Sequence, residues 1–423
     1  MKKRGAAVFL LLGALCFAGA CGKGEDEDAL EQANADALGL MPVDMSDIVG
    51  RPGNAGGSGD TFGKGPEDSA PDDPGAGNVS GPGDAEEGNP PGGPDGVESP
   101  GGTIPSEGEV KVTVSATGDV TLGNYLGQGY EMSFRYTYDQ GVGDAYFFEN
   151  VADIFKEDDL TLVNLEGPLT LAEEPREGQI YSISGDPGYV GILTAGSVEA
   201  AAMGNNHRLD YKQQGSDDTV AALEEAGILY AYDGKNCIYE VKGIRIGIVS
   251  VNEVSQGWAV EKYLKEGIEA LRTEGADLVL ACCHWGVERE YEPEDYQKSL
   301  GRKCIDWGAD LVIGHHPHVL QGVEEYQGKF IVYSLGNFCF GANRNPADKD
   351  CMIFQQTFTF IDGVKQEDRE IRAIPCSISS VAGRNDYKPT PAEGEQAQRI
   401  IDKINEYSKD FGISFDSGGY LVQ

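Results

Sequence analysis

Beyond residue 108 the hydrophobic pattern switches repeatedly between two periods. Short, β-rich apolar runs at Val110–Ala116, Leu160–Asn164, Val198–Met203, Ile228–Ala231, Ile244–Val251, Ala276–Cys283, Asp310–Ile313 and Phe330–Ser334 each predict a strand. Helical spacing predicts helices over Ser216–Ala226, Ala259–Glu274, Pro293–Trp307 and Ala392–Tyr407. Pro293 suits a first helical turn, because its φ is fixed and its missing N–H would have no partner there. Strands alternating with helices argue an α/β fold. Two later runs, Met352–Phe360 and Arg372–Ile378, partly alternate apolar with polar and read as an antiparallel edge. No internal repeat is present.

Polar residues gather just after the C-terminal ends of these strands. Thr117-Gly118-Asp119 follows the first, Asn164-Leu165-Glu166-Gly167 the second, and Gly204-Asn205-Asn206-His207 with Asp210 the third. His284-Trp285-Gly286 and Gly314-His315-His316-Pro317-His318 follow two more. Ligands of open α/β sheets bind outside the carboxyl ends of the strands, so five strands deliver Asp, Glu, Asn or His to one rim. The chain has 5 histidines, and all of them lie in these clusters. Together with Asp119, Glu166 and Asn206 they point to a metal site. Neutral imidazoles with carboxylates and an amide oxygen suit a divalent ion such as Mn, Fe or Zn, unlike the cysteine set of a structural zinc site.

Composition changes the picture at the N-terminus. Lys2, Lys3 and Arg4 precede an apolar run from Ala6 to Ala20, shorter than the ~20 residues a membrane span needs. The run ends Ala18-Gly19-Ala20-Cys21, which reads as residues 1–20 of an export signal with a lipobox-like site that would acylate Cys21. Ala18 stands where that motif usually has Leu, and ordinary cleavage leaving a free Cys is the alternative. No later apolar run is long enough to cross a membrane. Residues 22–108 hold about nineteen Asp and Glu against three Lys and Arg, with abundant Gly and Pro and a single aromatic, Phe62. Such a segment cannot offset the entropy of ordering and reads as a disordered tether, spanning roughly 50 Å as a flexible coil.

Residues 109–423 then form one large domain, carrying about −24 of the chain's −37 net charge. That acidity makes nucleic acid a poor partner. Seven cysteines remain after Cys16 and Cys21, an odd number without the spacing of a disulfide framework, and they read as buried small hydrophobes. Cys282 and Cys283 are adjacent strand residues and point to opposite faces, so both cannot be ligands. Trp285 reads equally as a substrate platform or as core. Glu288, Glu290 and Tyr291 line a substrate entrance or form a solvated loop.

The ordered motifs carry a resemblance. Gly118-Asp119, Asn164-Leu165-Glu166, Asn205-Asn206-His207 with Asp210, His284-Trp285-Gly286, Gly314-His315-His316-Pro317-His318 and Tyr333-Ser334-Leu335-Gly336-Asn337-Phe338 occur in the order seen in CapA-type capsule-synthesis proteins, associated with poly-γ-glutamate. That family resembles the calcineurin-like metallophosphoesterases, which implies a four-layer α-β-β-α sandwich, two sheets face to face with helices outside. The resemblance places metal ligands at Asp119, Glu166, Asn206, His284, His316 and His318, and a general acid or transition-state stabiliser at His207. Asp210, Trp285 and Asn337 read as residues behind the ligands or around the pocket, and His315 as one behind the ligands or aimed elsewhere by the turn at Pro317, while the Ser334–Phe338 turn closes the pocket floor by its tight geometry.

Two departures matter. The superfamily's Asp-x-His is Asp119-Val120-Thr121 here, and its bridging Asp is Glu166. One ion or two are both compatible with what remains. The resemblance implies paired ions that polarise the scissile group and make a water nucleophilic near neutrality, with His207 protonating the leaving group. The expected function is a metal-dependent hydrolase or transferase, lipid-anchored outside the cytoplasm and serving capsule or envelope polymer synthesis. The bond it breaks would be a phosphoester or γ-glutamyl linkage. The alternative is a non-catalytic, metal-containing module that binds or guides polymer within a synthesis and export complex. Expected partners are the bacterial membrane, a polyanionic capsule polymer and capsule-synthesis proteins. A polyanion would be repelled by the acidic domain unless the metals and nearby Lys or Arg reverse the field at the rim.

Overall fold

Alternation within the strands decides how the layers stack. In Glu109–Thr121, Val112, Val114 and Ala116 face one core, and in Leu160–Leu165 so do Leu160 and Leu162. That core also receives Ile244, Ile246 and Ile248, then Leu278, Leu280 and Cys282, then Leu311 and Ile313, from strands of a different sheet. Two sheets therefore pack face to face over a shared interior. The intervening residues point outward. Val163, Leu165, Ala201 and Met203 meet Leu193 and Leu223 of helices over the first sheet. Val249, Val251, Val279, Cys283 and Val312 meet Val260, Leu264, Ile268, Leu300 and Cys304 of helices over the second. This is the α-β-β-α sandwich expected, and each buried Leu or Ile contributes about 1.5–3 kcal/mol to it.

The structure, a computed structural model, describes residues 108–422 apart from residue 368. The export signal, the candidate acylation residue Cys21 and the acidic tether up to residue 107 lie outside the described residues.

Among the described residues the larger sheet has nine strands and the other six. Glu109–Thr121, Leu160–Leu165, Ala200–Ala202 and Leu229–Ala231 run parallel in that order. In the second sheet Ile244–Asn252, Leu278–His284, Leu311–His315 and Lys329–Val332 do the same. Each predicted apolar run contains a strand. The last two are antiparallel as expected, but Asp350–Ile361 is not an edge. It lies between Glu109–Thr121 and Ile371–Ser377 and is hydrogen-bonded on both sides, which explains its nearly unbroken burial. The hairpin strand Cys237–Val241 and the short strands Val323–Tyr326 and Asn337–Phe340 were not legible in the pattern.

Helix Asp295–Trp307 starts later than its proline suggested. Glu294 is the N-cap and exchanges reciprocal bonds with Gln297, a capping box that satisfies two otherwise orphaned N–H groups, so Pro293 precedes the helix. Helix Gly394–Ser408 also departs from the layered expectation. Its Ile400, Ile401 and Ile404 enter the core between the sheets, whereas the other long helices cover outer faces. Cys282 and Cys283 do face opposite cores. Among the described residues no helix is long and apolar enough to cross a membrane.

Asp310, buried where Leu311–His315 begins, ties the second sheet together. Its carboxylate pairs with Arg272 and Lys365, lies 3.5 Å from Lys329 Nζ, and accepts the Val279 N–H at 2.8 Å. Burial pushes its pKa up, but the charges of Lys365, Arg272 and Lys329 outweigh burial and hold it below the usual carboxylate range. A depressed folded-state pKa contributes stability above the unfolded value near 3.9, and that stability is lost as pH falls through the folded value. Asp310→Ala should cost about 3–5 kcal/mol, because it leaves partly buried cations without a counter-charge. It should also flatten the acid limb of a stability-versus-pH curve measured by urea unfolding. An unchanged curve would show that the cluster contributes nothing to stability.

Candidate metal centre

The same alternation carries polar residues into the gap between the sheets. Glu166 continues the phase of Leu160 and Leu162, and His284 continues that of Leu278, Leu280 and Cys282. His315 likewise follows Leu311 and Ile313. Asp119 does not continue the phase of Val112, Val114 and Ala116. The register with Leu160–Leu165 shifts between Ala116 and Asp119, and beyond the shift Val120 and Leu122 face the outer core. This irregularity turns the Asp119 carboxylate inward, where Asn164 Nδ2 donates to its Oδ1 at 2.8 Å.

Glycines let the backbones approach closely enough. A Cβ on Gly118 would stand 2.0 Å from the Gly336 carbonyl oxygen, which accepts the Asp119 N–H at 3.0 Å. A Cβ on Gly314 would stand 2.1 Å from Tyr333 O and 2.4 Å from Trp285 Nε1. The following turn places His316 at φ +96° and His318 at φ +58°, conformations that cost a non-glycine residue about 1–3 kcal/mol each and persist only when their surroundings enforce them.

Glu166 is the centre of the arrangement. The residue is 1% exposed, yet neither carboxylate oxygen has a hydrogen-bond partner. Its Oε1 lies 3.7 Å from His284 Nε2, 3.8 Å from His318 Nε2 and 3.9 Å from His207 Nε2. Glu166, His316 and His318 each present a ligand atom within 4.8 Å of the others. Donors about 2.0–2.2 Å from a common ion are themselves roughly 3–4 Å apart, so these separations fit a shared cation better than hydrogen bonds. Asp119 Oδ2 and His316 Nδ1 are also buried without hydrogen-bond partners. The residues present thus fit a divalent ion.

The other predicted ligands adjoin this group. His284 Nε2 hydrogen-bonds Asn206 Oδ1 at 2.9 Å, and the His284 and His316 rings lie 4.8 Å apart. His318 Nδ1 donates to Asn337 Oδ1 at 2.9 Å and lies 3.1 Å from Asp119 Oδ2, which leaves its Nε2 directed at Glu166. Burial pushes the Glu166 carboxyl up to about 7, with the Asp119 charge adding to burial and His318 opposing it. Burial alone would lower His318, but Glu166 and Asp119 outweigh it and raise the imidazole. Burial, then the neighbouring histidines, hold His284 well below its ordinary value.

Behind these donors stand residues that orient them. His207 Nδ1 donates to Asp210 Oδ2 at 2.7 Å, and the same oxygen accepts the Ile183 N–H at 2.8 Å. His315 Nε2 donates to the Thr117 carbonyl at 2.9 Å, which turns its ring away from the donor cluster. Trp285 is wholly buried, donates to Tyr333 O at 2.9 Å and stacks on Tyr333, so it is core and lines no pocket. Tyr291 donates to Asp348 at 3.1 Å and opens onto a separate cleft of about 690 Å³ with Arg399 and Lys403. Glu288 is exposed, and the charges of His318, His316 and His207 outweigh desolvation and lower its pKa. Sequence reasoning gave Asn164 and Asn205 no role. Asn164 ties Asp119 to His284, and Asn205 anchors Asn164 and Leu165. The signal was available for Asn164, which shares the phase of Glu166.

The sequence profile of the bacterial capsule synthesis proteins, PGA_cap, matches residues 113–342, which span this rim. The chain is 29% identical over 255 residues to the capsule biosynthesis protein CapA of Bacillus anthracis, covering 54% of this chain and 60% of that protein. It is 31% identical over 249 residues to the PGA biosynthesis protein CapA of Bacillus subtilis (strain 168), covering 54% and 63%. The matches thus span less than two thirds of these relatives' length. Among solved structures, a hypothetical protein from Thermus thermophilus aligns with a TM-score of 0.37 and 17% identity, over 62% of this chain and 98% of that one. The 5'-nucleotidase of Candida albicans aligns with a TM-score of 0.35 and 12% identity, over 72% and 58%. A profile match over more than half the chain, running through each of the motifs that build the rim, makes this protein a member of the bacterial capsule synthesis family PGA_cap.

Proposed function

We propose that the protein is an extracytoplasmic, lipid-anchored, metal-dependent hydrolase or transferase acting on a capsule or envelope polymer. Poly-γ-glutamate is the substrate class suggested by the CapA relatives. The observation that carries this reading is Glu166, a buried carboxylate with no hydrogen bond, surrounded by imidazole nitrogens. Glu166, His316 and His318 would hold an ion, with Asn206 and His284 on one side and Asp119 on the other. One or two divalent ions are accommodated by that donor count, Mn, Fe and Zn being suited to it. An ion bound there supplies Lewis-acid chemistry, polarising a carbonyl or phosphoryl oxygen of the group under attack.

The chain's own residues do the positioning. Asp210 takes the His207 Nδ1 proton in a hydrogen bond and fixes the tautomer, so Nε2 faces Glu166 and can deliver or hold a proton at a leaving group. Asn337 and Asp119 aim His318. An amide carbonyl and a phosphoryl group both meet the requirements of this arrangement. The basic, apolar start that ends in Ala18-Gly19-Ala20-Cys21 supports export and acylation at Cys21.

Elemental analysis of the purified full chain should find one or two divalent ions, and fewer in His316→Ala and His318→Ala. Chelation should lower the Tm, since an ion at a hundredfold its Kd stabilises by about 2.7 kcal/mol. Absence of any ion after reconstitution with Mn, Fe and Zn would remove the metal reading.

A second measurement tests catalysis, using phosphoester, nucleotide and γ-glutamyl substrates on the metal-loaded protein. His207→Ala should keep its metal and Tm but lose about 10²–10⁴-fold in rate, with binding little changed. Polymer binding without turnover in the wild type would favour the non-catalytic module instead. Loss of metal and Tm together would make His207 a structural residue.

The anchor is tested by fractionation. Wild type should partition with membranes, while Cys21→Ser should be soluble or unprocessed. A mature N-terminus elsewhere, without an acyl group by mass spectrometry, would refute the lipoprotein reading.

A further inference from the structure

A cleft of about 430 Å³ lies beside the metal-ligand rim. Its walls include the two-stranded ribbon of Asn124–Tyr125 and Ile183–Ser184 and the short helix Phe134–Asp139. Asp210 joins it to the rim, because the carboxylate that holds His207 also holds the Ile183 N–H. The next residues along the chain, Tyr211 and Ser184, line the cleft. None of the expected metal ligands lines this space.

Its lining combines flat apolar faces with planar polar groups. The half-buried Tyr125 and Tyr138 supply rings, while Arg135, Asp139 and Asp186 supply donors and acceptors; the Asn124 amide is already held by Gln128 and the Arg135 N–H. Arg135 Nε lies 3.8 Å from Asp139 Oδ2, and both side chains are exposed, so each keeps hydrogen-bonding capacity for a ligand. The Tyr189 phenol sits among these charges: burial, then Asp139 and Asp186, push its pKa up against the opposing Arg135. Leu126 and Leu171 stand exposed on the rim, 59% and 72%, and extend the apolar surface outward.

The chemistry selects a ligand class. Two carboxylates against one guanidinium give the lining a net negative charge, which opposes a polyanion, while the guanidinium opposes a simple cation. Tyrosine faces pack against the C–H surface of a sugar ring, and Asp and Arg pair with its hydroxyls in acceptor and donor senses. The volume lies within the ~300–1,000 Å³ of small-ligand sites. We propose that this cleft is a saccharide-binding subsite, taking a short run of uncharged sugar units beside the metal-ligand rim. The proposal does not require the rim to be catalytic.

Isothermal titration of the full chain with chitotetraose and with maltotetraose tests it, with poly-γ-glutamate and choline as contrasting probes. At least one oligosaccharide should bind, and Asp186→Asn and Tyr125→Ala should each weaken it by about tenfold or more. Metal content and Tm should be unchanged in both variants. Binding of neither oligosaccharide at millimolar concentration would overturn the proposal. So would saccharide binding unaffected by either variant, or variant-sensitive binding of poly-γ-glutamate or choline alone. A metal-free chain that still binds sugar through Asp186 and Tyr125 would leave this subsite standing while the metal reading fell.

Discussion

Glu166 places a carboxylate in the gap between two sheets, almost wholly withdrawn from water and with neither oxygen hydrogen-bonded. An ionised carboxylate in such a position costs several kcal/mol unless a compensating charge is supplied. The imidazoles that approach it do so at 3.7–3.9 Å, too far for hydrogen bonds. The arrangement makes physical sense as a cation site, and the surrounding architecture follows from holding those donors against one another.

Holding them requires local concessions. Gly118 and Gly314 give up side chains so that Asp119 and the His315–His318 turn can approach neighbouring carbonyls. His316 and His318 accept unfavourable backbone angles. His207 is fixed by Asp210, His318 by Asn337 and Asp119, and Asp119 by Asn164. These interactions orient donors that would otherwise turn towards solvent or towards one another, as preorganised metal sites require. Thr121, two residues beyond Asp119, is fully buried with its hydroxyl lacking a hydrogen-bond partner.

Two buried carboxylates each gather cations. Asp310 engages Arg272 and Lys365, and Asp350 engages Arg399 and Lys403. With a net charge of −37 on the whole chain, attraction of an anionic chain would depend on ions at the rim itself.

Much of the site was legible because residue identity and strand phase are local properties. The period of two carries Glu166 inward with Leu160 and Leu162, and His284 inward with Leu278, Leu280 and Cys282. The motifs at strand ends therefore announced both the rim and its donors. Asp119 was legible as a residue but not as a direction, since the alternation before it points the other way and only the irregularity after Ala116 reverses it. Trp285 was equally ambiguous until the second sheet's packing buried it against Tyr333. The ribbon of Asn124–Tyr125 and Ile183–Ser184 pairs short segments far apart in the chain, too brief to leave a periodic signal. The sequence by itself determined which chemical groups stand at which strand ends, because backbone alternation needs no distant partner. Which of them meet, and at what distance, was decided by tertiary structure, because those contacts cross between sheets whose mutual placement depends on the packing of the whole core.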